Sequence, residues 1–285
     1  MITIFYSLLL ILPLYKTTRQ QVFLLHCGFR TGSSLLGELF NHNPASFYVF
    51  EPLYEVPQHL HSTVLEDIVK TCSSKYWGLL DRSLSFHDNN TLYSRCLFSE
   101  LLVIKTIRIR HAKQILALKL WSSSLRVLHL IRDPRGVLHS RLQYPRLYSS
   151  GGAYQRDVSG VGRAAGLFCE QGVRDAEFLQ KQYRGEVLAI RFEDLATKTE
   201  QVADTIYSFL QQDTPVEVSA WINNLRTGAQ LLNTNTTWRS TRQDGNQVLK
   251  KWQTGLSSQM VCEIEKSCKK FMRLYNYPAM CSRTE

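Results

Sequence analysis

No Cys-x-x-Cys pair occurs in this chain. Its seven cysteines, at 27, 72, 96, 169, 262, 268 and 281, are scattered, and without a paired spacing they do not read as zinc ligands. Nor is there a Gly-Lys-Ser/Thr triplet, which removes the Walker A loop and with it an ordinary ATPase or GTPase. An apolar run of the ~20 residues that a helix needs to cross a bilayer is missing as well. Met1 to Tyr15 (MITIFYSLLLILPLY) comes nearest, but Pro13 interrupts it, and Lys16 and Arg19 follow it with no basic residue before it. That order fits neither a signal peptide nor an anchor with a cytoplasmic N-terminus. Residues 1–20 thus form a short apolar segment that reads as a first core strand, a damaged start or a truncated anchor. Acidic residues are the minority, 24 against 34 Lys and Arg, for a formal charge of +10. The surplus suits a polyanionic partner: nucleic acid, anionic glycan, an acidic membrane surface or a nucleotide. Charge does not choose among them.

With no internal repeat, linker or low-complexity tract, the 285 residues suggest one α/β domain over 21–285. Val22 to Cys27 (VFLLHC) is an apolar run closed by Gly28, and Ser33 to Asn41 carries Leu35, Leu36, Leu39 and Phe40 on one helical side. Further strands are predicted at Phe47–Phe50, Leu101–Lys105, Val127–Ile131 and Val187–Phe192, mostly with helical stretches between them. The alternation predicts a mainly parallel central sheet with helices on both faces, and near-continuous apolar strands fit burial on both sides. Ser149–Gly162 and Asn233–Gly245 read as loops, and Ser258–Tyr275 as a helix with a core stripe. Within that helix Cys262 and Cys268 lie about 9 Å apart along the axis on different faces and cannot bridge, so Cys281 is the better partner for one of them.

Two constellations carry chemistry. Gly28-Phe29-Arg30-Thr31-Gly32-Ser33-Ser34 joins a buried strand to a helix, where backbone N–H groups and the helix dipole make an anion cradle. The glycines allow close approach, Ser33 and Ser34 add hydroxyls, and Arg30 adds fixed charge. A serine-capped turn is the plain structural alternative. The second, Arg132-Asp133-Pro134-Arg135-Gly136-Val137-Leu138-His139-Ser140, follows the strand ending at Ile131. Asp133 suits an N-cap and Pro134 a first helical residue. Arg132 and Ser140 could then face one phosphate. In open α/β sheets ligands bind beyond the carboxyl ends of the strands. Glu51 ends a strand on that edge, as a general base for an incoming hydroxyl or as the orienting partner of an arginine. His26, His59, His61 and His139 are the competing bases. Lys105 and Arg108, in Lys105-Thr106-Ile107-Arg108, either meet an anionic glycan or form a solvated strand face.

These residues resemble the Golgi carbohydrate sulfotransferases, specifically the group that sulfates the 6-hydroxyl of Gal, GalNAc or GlcNAc. Phe29-Arg30-Thr31-Gly32-Ser33-Ser34 is similar to the group's W-R-S-G-S-S loop for the 5′-phosphosulfate, with Phe29 and Thr31 as departures. Arg132-Asp133-Pro134-Arg135 with Ser140 is similar to its 3′-phosphate motif. Gly37–Asn41 through Glu51-Pro52, Lys105–Arg108, Arg191-Phe192-Glu193-Asp194-Leu195 and Lys251-Trp252 also resemble family segments, so the likeness runs from about Val22 to Pro278. Arg30 matches this group, where cytosolic sulfotransferases use lysine. The resemblance implies a P-loop-like sulfotransferase fold, the donor 3′-phosphoadenosine 5′-phosphosulfate (PAPS), no metal, and a glycan or glycosaminoglycan acceptor in place of nucleic acid. It makes 21–285 a catalytic domain in which Gly28–Ser34, Arg132 and Ser140 hold the donor, Arg30 and Glu51 act in catalysis, and Lys105 and Arg108 meet the acceptor. A Golgi lumen or membrane location is implied, although the N-terminal run is short for the family's anchor. The sequons Asn89-Asn90-Thr91 and Asn235-Thr236-Thr237 permit glycosylation there. An atypical P-loop kinase and a non-catalytic glycan-binding protein remain the rival readings. Oligomeric state is not legible.

Overall fold

A computed structural model describes residues 21–54, 56–72, 89–109, 111–122, 124–143, 157–227 and 245–281. The apolar segment 1–20, residues 149–156 and 233–244 of the two expected loops, and Asn235 lie outside that set. Five strands, β1 Gln21–Cys27, β2 Ser46–Phe50, β3 Leu101–Thr106, β4 Arg126–Ile131 and β5 Val187–Arg191, form one sheet in the order β2-β3-β1-β4-β5. Every pairing is parallel.

The helices are α1 Ser33–Asn41, α2 His61–Thr71, α3 Asn89–Phe98, α4 Leu116–Trp121, α5 Pro134–Leu142, α6 Val158–Gln182, α7 Phe192–Thr197, α8 Thr199–Phe209, α9 Val216–Thr227, α10 Gly245–Gly255, α11 Ser258–Ser267 and α12 Lys269–Leu274. They cover both faces, because alternate residues of a strand point opposite ways. On one side Leu102 and Ile104 of β3 pack with Val64, Leu65 and Ile68 of α2 and Leu179 of α6. On the other, Leu101 and Val103 pack with Leu36, Leu39 and Phe40 of α1 and Ile206 and Tyr207 of α8. β3 is buried along its whole length, as a strand covered on both faces must be.

Three expectations need correction. β5 stops at Arg191, and Phe192 opens α7. Residues 158–162 are the first turn of α6, not loop: Asp157 caps it by accepting from Gly160 N at 2.6 Å. The glycine at 162 marks close packing, since an added Cβ would lie 2.5 Å from Glu263 Cγ of α11. The C-terminal helix is two, α11 and α12, separated at Cys268 (φ −103°, ψ 11°). Its stripe residues Val261, Ile264, Cys268, Phe271 and Met272 all stay buried in one cluster.

Disulfides join Cys72–Cys96, Cys169–Cys268 and Cys262–Cys281, so Cys281 is the partner of Cys262. Three such bonds suit an oxidising compartment. Among the described residues no helix is long and apolar enough to cross a membrane.

Candidate functional site

The parallel sheet brings its carboxyl ends to one edge, and the residues singled out from the sequence lie there. After β1 the chain turns through Gly28–Gly32, with Thr31 N and Thr31 Oγ1 both donating to Gly28 O at 3.3 and 2.7 Å. Thr31 is buried, so its hydroxyl shapes the turn. Arg30 (φ 68°) and Gly32 (φ 95°) both adopt the left-handed region. At Gly32 a Cβ would lie 2.1 Å from Cδ2 of Phe192; only glycine admits both that backbone and that neighbour. No side chain caps α1, so the amides of Ser33 and Ser34 at its start keep the donor capacity of a helix N-terminus.

Two guanidinium groups reach this loop from outside it, and a third, that of Arg30, extends from it. Arg30 Nε donates to Ser140 Oγ at 2.9 Å. Arg132 Nη1 donates to Arg30 O at 2.9 Å, and Arg141 donates to Phe29 O from Nε at 3.2 Å and Nη2 at 3.1 Å. Arg132 stacks on Phe192 and Arg141 on Phe168, 4.4 and 4.9 Å from the ring centroids. The loop carbonyls thus face α5, and Arg30, Arg132 and Ser140, distant in sequence, meet in one place. Such clustered cations and hydroxyls can bind multiply charged oxyanions. His139 on the same helix reports the local potential: burial first, then Arg132 and Lys251, hold it below its ordinary value.

The start of α5 is firmly built. Asp133 caps it by accepting from Arg135 N at 2.9 Å, with Pro134 as first residue. The same carboxylate receives Arg135 Nε and Nη2 at 3.0 and 2.7 Å. Arg135 also donates to Glu265 Oε1 at 2.6 Å and Pro278 O at 3.0 Å, and lies over Trp252. Glu193 Oε1 accepts from Asp133 N at 3.0 Å, and its Oε2 accepts from Tyr277 OH at 2.7 Å.

Glu51 sits two strands from the loop, an offset of about 10 Å at sheet spacing, and it too is left-handed (φ 48°). Its carboxylate is buried and accepts from Lys105 Nζ at 2.5 Å and Ile107 N at 3.3 Å. Arg108 Nε lies 3.8 Å from Oε2, and its guanidinium covers the Tyr54 ring at 5.0 Å. The two basic residues therefore differ. Arg108 is 41% exposed and Lys105 only 4%, so Lys105 is an internal counter-ion and not part of a solvated strand face. Among the other bases considered, His61 is buried against Val56 O and His59 is exposed. His26 belongs to β1, in register with Thr106 and His129.

Sequence reasoning missed Arg141, Phe192, Glu193, Glu265 and Tyr277. Phe192 and Glu193 had a signal, the resemblance of Arg191–Leu195 to a family segment. Arg141, Glu265 and Tyr277 had none, because each acts through a contact across the fold.

The family model "Sulfotransferase domain" matches residues 23–276. Carbohydrate sulfotransferase 3 of Tetronarce californica is 25% identical, over 89% of this chain and 72% of that protein. Carbohydrate sulfotransferase 6 of Homo sapiens is 23% identical, over 90% and 81%. Among solved structures, a sulfotransferase domain from the curacin biosynthetic pathway shares the fold with a TM-score of 0.56 at 13% identity, covering 90% of this chain and 98% of that one. Mouse sulfotransferase SULT7A1 complexed with PAP gives 0.55 at 13%, covering 90% and 86%.

Proposed function

The chain belongs to the sulfotransferase domain family, and from that premise we propose that it transfers a sulfuryl group from PAPS to a carbohydrate hydroxyl, the 6-hydroxyl of Gal, GalNAc or GlcNAc in a glycan or glycosaminoglycan. The observation that carries this reading is the convergence of Arg30, Arg132 and Ser140 at the end of β1 and β4. The loop fits the donor: it has an uncapped helix start, and Gly32 keeps the left-handed turn that presents it while Phe192 packs where a side chain would stand. Bound PAPS supplies an activated sulfuryl group, whose bond to the 5′-phosphate oxygen breaks as the bond to the acceptor oxygen forms.

In this reading Gly28, Phe29, Arg30, Thr31, Gly32, Ser33 and Ser34 hold the 5′-phosphosulfate, mainly through backbone amides, the two serines and Arg30. Arg132 and Ser140 hold the 3′-phosphate. Arg30 stabilises charge developing on the bridging oxygen, a role that preorganised donors perform well without a metal. Glu51 takes the proton of the acceptor hydroxyl, with Lys105 holding its Oε1 so that Oε2 is the working oxygen. Arg108 and Tyr54, both substantially exposed, offer the acceptor a cation beside an aromatic face. The 2.5 Å Lys105 contact favours one other reading of Glu51, as a positioning residue whose task is to hold Lys105 and Arg108.

The three disulfides and the carbohydrate sulfotransferase relatives support a catalytic domain over 21–285 that works in the Golgi lumen. Calorimetry with PAP and ATP, each with and without Mg²⁺, tests the class. PAP binding that ignores Mg²⁺ is expected. ATP binding that requires Mg²⁺ would favour a kinase, and neither would favour a glycan-binding protein. Sulfate transfer to keratan, chondroitin and simple GlcNAc acceptors then identifies the acceptor.

A further inference from the structure

The segment that follows α12 reaches the Arg132 corner from two sides. Tyr277 OH donates to Glu193 Oε2 at 2.7 Å, and Glu193 Oε1 accepts from Asp133 N at 3.0 Å. A second route starts at Glu265, which accepts from Met280 N at 2.9 Å and from Cys281 N at 2.9 Å. Glu265 Oε1 also receives Arg135 Nη1 at 2.6 Å, and Arg135 grips Asp133 and reaches Pro278 O. Asp133, Arg135 and Glu265 are 8%, 2% and 7% exposed, so these charges depend on one another and on the segment's amides for compensation. The Cys262–Cys281 disulfide closes the arrangement one residue beyond Met280. It fixes the segment to α11, the helix that carries Glu265.

We propose that Tyr277–Cys281, locked by Cys262–Cys281, is a strap that positions Arg132 through Glu193 and Glu265. Glu193, Arg135 and Glu265 are then positioning residues for 3′-phosphate recognition. The physical reason is leverage: Arg132 directly precedes Asp133, and both the amide and the carboxylate of Asp133 are held by groups tied to the strap. Without the strap Glu265 loses two amide donors and Arg135 loses Pro278 O, so the first turn of α5 has fewer fixed contacts. A guanidinium that must find a phosphate from a wider range of positions binds it less tightly.

The inference rests on Arg132 as a 3′-phosphate ligand, so the experiment compares PAP with AMP, which lacks that phosphate. Dissociation constants for both are measured by calorimetry on the wild type, Cys262→Ser/Cys281→Ser, Glu265→Gln, and a control, Cys72→Ser/Cys96→Ser, whose disulfide lies in the separate core between β3 and α2. The strap predicts that PAP affinity falls about tenfold in the first two variants while AMP affinity holds. In the control both affinities should hold even where thermal stability drops. Equal preference for PAP over AMP in wild type and Cys262→Ser/Cys281→Ser, with that variant folded by circular dichroism, overturns the strap. No preference for PAP in the wild type itself instead overturns the underlying 3′-phosphate assignment. If Glu265→Gln does not fold, the disulfide variant alone decides.

Discussion

Arg30 Nε donates to Ser140 Oγ at 2.9 Å, which ties the loop after β1 to the far end of α5 across 110 positions of sequence. The bond joins the two anion constellations into one surface, yet the two ends of that surface should serve different steps. Arg132→Ala should chiefly weaken PAP binding, by about 1.5–3 kcal/mol for a lost charge-assisted hydrogen bond. Arg30→Ala should chiefly lower kcat, by about 10²–10³-fold if it meets the developing charge. Calorimetry and steady-state transfer on both variants check this, and unchanged PAP affinity in Arg132→Ala would refute the 3′-phosphate assignment.

Gly32 is restricted twice over, by its φ of 95° and by Phe192 at 2.1 Å from the position of a Cβ. Gly32→Ala should therefore destabilise the fold by about 1–3 kcal/mol through overpacking, with left-handed strain added. Phe192 also stacks with Arg132, so the repacking should weaken PAP binding as well. Denaturant unfolding of Gly32→Ala, Phe192→Ala and the double variant separates the two causes. Phe192→Ala should relieve the collision and leave the backbone strain. A Gly32→Ala midpoint equal to wild type would show that the loop can move away from Phe192.

The local parts of this fold were legible because they are governed by local rules. Ser33–Asn41 is amphipathic, Asp133-Pro134 is a helix start in any context, and each buried strand is a short apolar run. The alternation of those strands with helices was enough for a parallel sheet, and the rule that ligands bind beyond the strands' carboxyl ends put Glu51, Gly28–Ser34 and Arg132 on one edge. What was not legible depended on shape. Gly162 reads as flexibility in a Gly-rich stretch, whereas its missing side chain lets Glu263 approach α6. Lys105 reads as part of a basic strand face, but β3 lies between β2 and β1 and is buried, so its ammonium had to meet Glu51. Glu265 carries no motif, because its partners Arg135 and Met280 lie 130 and 15 positions away on either side of it in sequence.

His139 offers a titration probe of the site. Burial, then the charges of Arg132 and Lys251, lower its pKa from 6.5 in the folded protein, while the unfolded chain keeps the ordinary value. The unfolded state therefore binds the proton first as pH falls. Its contribution to stability is complete above about 6.5 and is lost as pH falls through the lowered folded value. Ring-proton NMR should show His139 titrating below 6.5, with the midpoint moving up in Arg132→Ala and in Lys251→Ala. Saturating PAP should move it up too, since a phosphate beside Arg132 offsets the positive field. A midpoint insensitive to PAP would place the 3′-phosphate elsewhere.

Glu51 is the residue whose role the geometry divides most sharply. Its Oε1 is engaged by Lys105, while among the described residues Oε2 has only the Ile107 amide at 3.3 Å and Arg108 at 3.8 Å. A base needs one oxygen that a hydroxyl can reach, and Oε2, beside the exposed Arg108, is the candidate. Glu51→Gln keeps the shape, and its single amide oxygen can still accept from Lys105 while its NH2 faces the Ile107 amide, but it cannot take a proton. If Glu51 is the base, kcat should fall by about 10²–10⁴-fold with PAP affinity near wild type. If it only positions Lys105, the glutamine amide leaves a buried ammonium without its counter-charge, and the loss should appear in stability more than in kcat. Lys105→Met separates these further: a positioning role predicts that Glu51→Gln costs little once Lys105 is gone, whereas a base predicts the same large drop in either background. Sulfate transfer with a radiolabelled donor and thermal unfolding, measured on the two single variants and the double, give the cycle. A kcat within a few-fold of wild type in Glu51→Gln would remove Glu51 from proton transfer and turn attention to His59, which is exposed in the same strand-to-helix connection.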